Sequence, residues 1–338
     1  MTNRRNFISG SAAVLGAATV FSPAVLRAQS VDQIRVLTPF AFGTSFIEMI
    51  NAVSGGHYAA NNIEATMEAG RGGSQTLQQL IAGQADFIRI SSIEQMSAME
   101  ASEADLVCFS TLFQSSTFHL VSLKDRPIAS AEDLRGKTVG LVSVGGSTEI
   151  FLDLMLDGVG VPANEVRREV TGDTPAALEI MEAGRVDCFI CSIAVVVELR
   201  LANAPVEIWS TDRYAPMPGQ GYVALRSRVE EKPDMFVRIC KSLHASVEEL
   251  IAGPVPPIFE RAARDFELTR IDDPERLTAF VETTANELWL SKGRENLMRN
   301  VPELWEAGRQ TLFHAGRINS EDASIYYDNT YVDEALKA

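Results

Sequence analysis

Short apolar runs alternate along this chain with segments in which apolar residues recur every three or four positions. The runs predict β-strands and the spaced segments predict helices. Ten strands are expected, at residues 34–38, 63–68, 87–90, 106–109, 119–123, 138–142, 166–170, 187–190, 206–209 and 222–225. Three strands in each half lead through a loop rich in Gly, Ser, Thr or Pro towards a helix. This order of elements predicts an α/β fold with mainly parallel sheets.

One segment of the pattern occurs twice. Residues 77–86 and 178–187 each carry Leu or Met at helical spacing, then Ala-Gly, then an Asp before an apolar run. Each copy predicts a helix that ends at glycine and leads into a buried strand. The repeat favours two similar lobes with a ligand cleft between them. The alternative is that a common helix-to-strand connection occurs twice by chance.

The last third of the chain is predicted to be helical. Apolar residues recur at helical spacing over 235–251, 275–290 and 301–312, and residues 320–335 are expected to form two short helices. We expect these helices to pack on the first lobe.

The first residues resemble an export signal. Arg4-Arg5 precedes an uncharged stretch that extends to Leu26, which is the pattern of a twin-arginine leader, and cleavage is expected after Ala28. Residues 1–28 are therefore expected to be a signal peptide, with a periplasmic mature protein. An uncleaved anchor is the alternative, although Pro23 disfavours it.

Charge and cysteine content exclude several classes of protein. The formal net charge of −15 disfavours nucleic acid and anionic membranes as partners. Cys188 and Cys191 lie three residues apart on a predicted strand, so their side chains point to opposite faces of the sheet. A disulfide between them is therefore geometrically unfavourable. We expect all four cysteines to be mostly buried free thiols.

The four histidines are scattered and no catalytic or nucleotide-binding motif occurs, so we predict no metal, no cofactor and no enzyme activity.

The order of these elements, with Asp-Leu-Arg-Gly-Lys-Thr-Val-Gly at 133–140 and Glu-Ala-Gly-Arg-Val-Asp at 182–187, resembles the type II periplasmic binding proteins. Within that fold the chain is similar to the nitrate/sulfonate/taurine and thiamine-precursor group. The resemblance implies two lobes, each a mixed, mainly parallel sheet flanked by helices. Lobe 1 is expected at 29–122 and 220–338 and lobe 2 at 123–219, with crossing segments near 121–126 and 215–222. It also implies a small-molecule solute that is delivered to an ABC permease in the inner membrane, and we expect a monomer.

Loops at the carboxyl ends of parallel strands carry ligands in open α/β sheets, and helix N-termini there present free N–H groups. The two glycine-rich loops, 72–74 and 145–148, are the best candidates, one from each lobe. The full set of candidate ligand-binding residues is Phe40, Phe42, Thr44, Arg71, Gly72, Gly73, Ser91, Ser92, Gly146, Ser147, Thr148, Asp173, Ser192 and Tyr222.

Each candidate has a structural alternative. Ser74 and Ser147 could simply cap helices, the aromatic residues could belong to the core, and Arg71 could be an exposed loop residue. Arg71 is the only cation in the predicted cleft loops and could pair with a carboxylate, sulfonate or nitrate. Glu149 in the first turn of its helix would repel a dianion. We therefore expect a neutral or singly charged organic solute of sulfonate, nitrate, pyrimidine or aromatic-acid type.

The sequence thus favours a solute-binding component of an importer. Two alternatives stay open. One is an exported oxidoreductase that carries a cofactor, because the twin-arginine route often serves such proteins. The other is a ligand-binding protein that reports to a membrane sensor.

Overall fold

A computed structural model describes residues 31–268 and 271–337, so the expected leader lies outside the described residues. All ten predicted strands are present. They are β1 Asp32–Thr38, β2 Ile63–Ala69, β3 Phe87–Ser91, β4 Leu106–Thr111, β5 Phe118–Leu123, β6 Thr138–Leu141, β7 Arg167–Val170, β8 Cys188–Ser192, β9 Val206–Ser210 and β10 Gln220–Leu225.

The strands form two five-stranded sheets of the same plan. The first has the order β2-β1-β3-β10-β4 and the second has the order β7-β6-β8-β5-β9. In each sheet four strands run in one direction, and the fourth strand in the order runs antiparallel to both of its neighbours. The predicted α/β class with two mixed, mainly parallel sheets is confirmed.

The antiparallel strand of each sheet enters directly from the other sheet. Strand β5 follows β4 of the first sheet, and β10 follows β9 of the second, so the crossing segments are residues 112–117 and 211–219. The second crossing overlaps the expected 215–222. The first lies before the expected 121–126, because all of β5 pairs within the second sheet. The expected lobe boundary at 122/123 therefore falls inside a strand.

Twelve α-helices surround the sheets in the described residues. They are α1 Ile47–Ser54, α2 Gly73–Ile81, α3 Ser92–Ala101, α4 Ser147–Gly158, α5 Ala176–Glu182, α6 Ile193–Leu201, α7 Arg226–Glu231, α8 Pro233–Ala252, α9 Val255–Ala262, α10 Pro274–Thr284, α11 Pro302–His314 and α12 Thr330–Ala335. The long predicted helix 275–290 is α10 followed by a π-helical turn, Ala285–Trp289. No helix in the described part of the chain is both long and apolar enough to cross a bilayer.

The repeated segment forms the same local structure in both halves. Gly83 and Gly184 end their helices with φ of 70° and 73°, a left-handed conformation that suits glycine. The aspartate that follows then accepts a hydrogen bond from the backbone of the neighbouring parallel strand: Asp86 from Arg35 N at 2.7 Å, and Asp187 from Thr138 N at 2.8 Å. The sequence repeat is therefore a repeat of structure.

The core extends from one sheet to the other. One apolar cluster includes Phe87 in β3, Phe189 in β8, Val196 in α6 and Phe280 in α10, all buried. The four cysteines are also buried and unpaired, as predicted. Burial raises the pKa of the Cys108 thiol to about 12. These thiols are inert, apolar parts of the core.

Candidate ligand-binding site

A cavity of about 980 Å³ lies between the two sheets. Loops that follow the parallel strands of both sheets line it, as expected for an open α/β sheet. Thr44, Gly73 and Ser74 contribute from the first half, and Ser147 and Ser192 contribute from the second. Its volume is at the upper end of the range for small-molecule sites.

The loop before α2 brings backbone close to the cavity. Gly72 has φ of 126°, a conformation in which a side chain is strained, and a side chain on Gly73 would have to displace a neighbour. A Cβ on Gly73 would overlap Oε1 of Glu94, a residue on the wall of the same cavity. The side chain of Ser74 makes no capping bond, since Gly72 is the N-cap. The hydroxyl of Ser74 is exposed on the wall of the cavity.

The loop before α4 has the same form. Gly146 is the N-cap, Gly145 has φ of 73°, and Ser147 makes no capping bond either. Capping is therefore the wrong interpretation for both serines. Thr148 differs, because it is buried and its Oγ1 accepts from Val142 N at 3.2 Å. Its hydroxyl holds the loop in place.

Nine of the fourteen predicted residues lie on the cavity wall. They are Phe40, Thr44, Gly72, Gly73, Gly146, Ser147, Thr148, Asp173 and Ser192. Ser91 and Ser92 line a small adjoining pocket instead. Ser91 caps α3 together with Glu94, and Ser92 donates its hydroxyl to Pro218 O, so both have structural bonds.

Phe42, Arg71 and Tyr222 are not on the wall. Phe42 packs edge-on against Phe266 with ring centroids 5.2 Å apart, and Arg71 is exposed. The Tyr222 ring is completely buried, and its hydroxyl donates to Glu48 Oε1 at 3.3 Å. Because neighbouring residues of a strand point to opposite faces, the side chain of Tyr222 enters the core of the first sheet.

Two arginines on the wall were not among the predicted residues. Arg89 lies in the middle of β3. A charged residue within an apolar run is unusual, and this signal in the sequence could have identified it as a candidate. It is only 1% exposed and bonds to Glu48 Oε1 and Ser45 O, each at 2.5 Å. Its guanidinium carbon lies 4.4 Å from the ring centroid of Phe46, a geometry for cation–π attraction. Its Nε has no hydrogen-bond partner among the described residues.

The second arginine comes from a distant part of the chain. Arg276 in α10 reaches the wall of the cavity, and its Nη1 lies 3.9 Å from Oε1 of Glu198 in α6. Glu198 also lines the cavity. Only the packing of α10 on α6 brings these residues to the site, so the local sequence gave no signal for them.

A half-buried carboxylate joins the two crossing segments. Both oxygens of Asp212 accept from Ser116 N, each at 3.0 Å. Burial raises the pKa of Asp212 to about 6, although this hydrogen bond and Lys292 act in the opposite direction. The connection between the sheets therefore contains a group that titrates near neutral pH.

No cluster of three or more His, Cys, Asp or Glu residues that could hold a metal occurs in residues 31–268 and 271–337. Cys188 and Cys191 lie in the core of the second sheet rather than at the cavity. Serine, glycine, aromatic and charged groups form the wall. This arrangement can bind a small molecule through hydrogen bonds and apolar contact.

Comparisons with known proteins agree with this geometry. A family model described as NMT1/THI5-like matches residues 43–256. The chain is similar to the periplasmic aliphatic sulphonate-binding protein SsuA of Escherichia coli, with 17% identity, a TM-score of 0.67, and coverage of 89% of this chain and 99% of that chain.

Two further solved structures share the fold. The periplasmic nitrate-binding protein NrtA of Synechocystis PCC 6803 has 11% identity and a TM-score of 0.60, with 91% of this chain and 89% of that chain covered. The desulfurization enzyme DSZB has 12% identity and a TM-score of 0.55, with 90% and 99% covered. A search of curated proteins found no match. At these identities the likeness shows the periplasmic binding protein fold, which hosts both binding proteins and an enzyme.

Proposed function

Because the chain belongs to the NMT1/THI5-like family, we propose that it is a solute-binding protein whose two lobes close on a small organic molecule. The observation that carries the proposal is the pair of matched glycine-serine loops on opposite walls of one cavity. Neither Ser74 nor Ser147 makes a capping bond, so both hydroxyls can bond to a ligand.

The two crossing segments supply the hinge that closure requires. Residues 112–117 and 211–219 connect the sheets, and a few such residues can absorb the rotation of one lobe against the other. Ion pairs also join the two lobes, including Arg200 Nη1 with Glu287 Oε1 at 2.5 Å and Arg317 Nη2 with Asp153 Oδ2 at 3.0 Å.

The cellular setting follows from the leader expected at residues 1–28. We propose that the twin-arginine pathway exports the protein and that the monomer works in the periplasm. The ligand would then be delivered to an ABC permease in the inner membrane. SsuA and NrtA, which share the fold, are described as periplasmic binding proteins for sulphonate and nitrate, and this supports the assignment.

Native mass spectrometry tests the proposal directly. The protein is purified without denaturation, and the mass of any co-purified molecule is measured before and after mild unfolding. A released small organic molecule supports solute binding. A covalently held or redox-active cofactor would instead support the alternative of an exported oxidoreductase.

A thermal-shift screen with a matched pair of variants localises binding. Free ligand at a hundredfold excess over Kd should stabilise the folded protein by about 2.7 kcal/mol. Ser74→Trp places a bulky ring on the cavity wall and should abolish the shift. Gln75→Trp, one residue further along α2 and exposed away from the wall, should preserve it. Equal shifts in both variants would contradict binding in this cavity.

A further inference from the structure

The charges on the cavity wall define the class of ligand, given the proposed solute-binding function. Five charged side chains line the cavity: Arg89, Arg276, Glu94, Asp173 and Glu198. Three are carboxylates and two are guanidinium groups. Each arginine also lies next to a carboxylate, Arg89 at 2.5 Å from Glu48 and Arg276 at 3.9 Å from Glu198. The other two carboxylates, Glu94 and Asp173, therefore give the wall an excess of negative charge.

Internal carboxylates also lie at the helix N-termini that would otherwise attract an anion. Oε1 of Glu94 occupies the space that a Cβ on Gly73 would need, at the first residue of α2. Glu149 accepts from Gly145 N at 2.6 Å, immediately before α4, and its other oxygen lies 3.3 Å from Nε of Arg168. Asp173 accepts from Ser192 N at 2.9 Å, immediately before α6.

This arrangement removes the usual basis of anion binding. A helix N-terminus binds an anion through unpaired N–H groups and the positive end of the helix dipole. Here a side-chain carboxylate already lies at each of the three ends, and those of Glu94 and Asp173 lie on the cavity wall, whereas Glu149 is paired with Arg168. A sulfonate or nitrate at the start of α2 or α6 would meet a like charge at short range.

The geometry points to a nitrogen-containing organic solute that is neutral or cationic, such as an amine or amine-bearing heterocycle, with an apolar body. Glu94 and Asp173 can accept hydrogen bonds from its N–H groups. Phe40, Phe46 and Phe113 on the wall offer apolar surface. The unpartnered Nε of buried Arg89 can donate to a neutral acceptor of the ligand, such as a carbonyl oxygen or ring nitrogen.

The electrostatic potential in the cavity can be measured without knowing the ligand. Ser74→Cys places a thiol on the wall, and Gln75→Cys places a matched thiol on the same helix outside it. The native cysteines are buried and should not interfere. Each variant is treated with two ethyl methanethiosulfonate reagents. The cationic reagent carries trimethylammonium and the anionic reagent carries sulfonate. The thiolate attacks the reagent sulfur, forms a disulfide and expels methanesulfinate.

The ratio of the two rates reports the potential, because the thiol pKa affects both reagents equally. We expect the cationic-to-anionic ratio in the Ser74→Cys variant to exceed the ratio in the Gln75→Cys variant on the order of tenfold. Glu94→Gln in the Ser74→Cys background should reduce this excess. Equal ratios in the two single variants, or a preference of the Ser74→Cys thiol for the anionic reagent, would overturn the inference.

The reagent experiment is independent of the mass-spectrometric test of the proposed function. Recovery of an amine or neutral heterocycle in the mass-spectrometric experiment supports both proposals. A bound sulfonate or nitrate would overturn the charge assignment and leave solute binding intact. Recovery of no solute counts against the proposed function, and the reagent ratio then still decides the charge of the cavity.

Discussion

The carboxylate of Asp212 should make stability depend on pH at the junction of the two lobes. Asp212 lies on the second crossing segment, and its carboxylate accepts from Ser116 N on the first. Burial is the main cause of the rise in its pKa from 3.8 to about 6. The folded protein therefore holds the proton of this carboxyl more tightly than the unfolded chain does.

The sign and size follow from this difference in pKa. Stability from the protonated carboxyl is fully present below pH 3.8 and is lost as the pH rises through 6. A shift of about 2.2 units at 1.36 kcal/mol per unit gives a total loss of about 3 kcal/mol. About 2 kcal/mol of it falls between pH 4.5 and 7.5.

Asp212→Asn should remove this pH dependence, because asparagine keeps an acceptor oxygen without a titrating proton. The free energy of unfolding is measured by urea titration, with tryptophan fluorescence as the signal, for both proteins from pH 4.5 to 7.5. The stability of the variant relative to the natural protein should increase by about 2 kcal/mol across this range. The contributions of all other titrating groups to the pH dependence cancel when the two unfolding free energies are subtracted.

Asp125→Asn is the control, because that side chain is 80% exposed on a turn. Its difference curve should be flat. A flat curve for Asp212→Asn as well, or one that falls as the pH rises, would refute the assignment of a raised pKa to Asp212.

Two other predictions concern buried groups. Arg89→Met leaves the carboxylate of Glu48 buried without its ion-pair partner and should cost about 3–5 kcal/mol of unfolding free energy, whereas Arg89→Met with Glu48→Gln should cost much less. Urea titrations measure both, and equal losses would show that the pair itself is not responsible. The four buried thiols should not react with Ellman's reagent in the native protein and should all react in about 6 M guanidinium, since burial suppresses the thiolate. Rapid native labelling would contradict their burial.

The strands could be predicted because their signals are local. Each apolar run has Gly, Pro, Ser or Asp within two residues of at least one end, and all ten expected strands occur with boundaries shifted by at most a few residues. The repeat gave correct information about architecture, since Asp86 and Asp187 bond to equivalent strands. Helices α7 and α9 were missed. The first is short and polar, and the second has Pro256 and Pro257 in its first turn, where proline is tolerated.

The glycine-serine loops were also visible in the sequence, because glycine and serine after a strand mark a position where the backbone is open to a ligand. The direction of a side chain was not visible. Tyr222 enters the core, since one residue of register decides which face of a strand a side chain occupies. In the loops, Phe42 packs against Phe266 and Arg71 points to solvent.

The sequence by itself determined the class of fold, the doubling of the lobes and the loops that face the cavity. Tertiary structure decided where the chain crosses between the sheets and which charged groups meet at the site. Arg276 and Glu198 come together through the packing of α10 on α6, and Glu94 reaches the start of α2 from α3. Strand and turn preferences are set within a few neighbouring residues, whereas the charge of a cavity depends on residues that only the folded chain brings together.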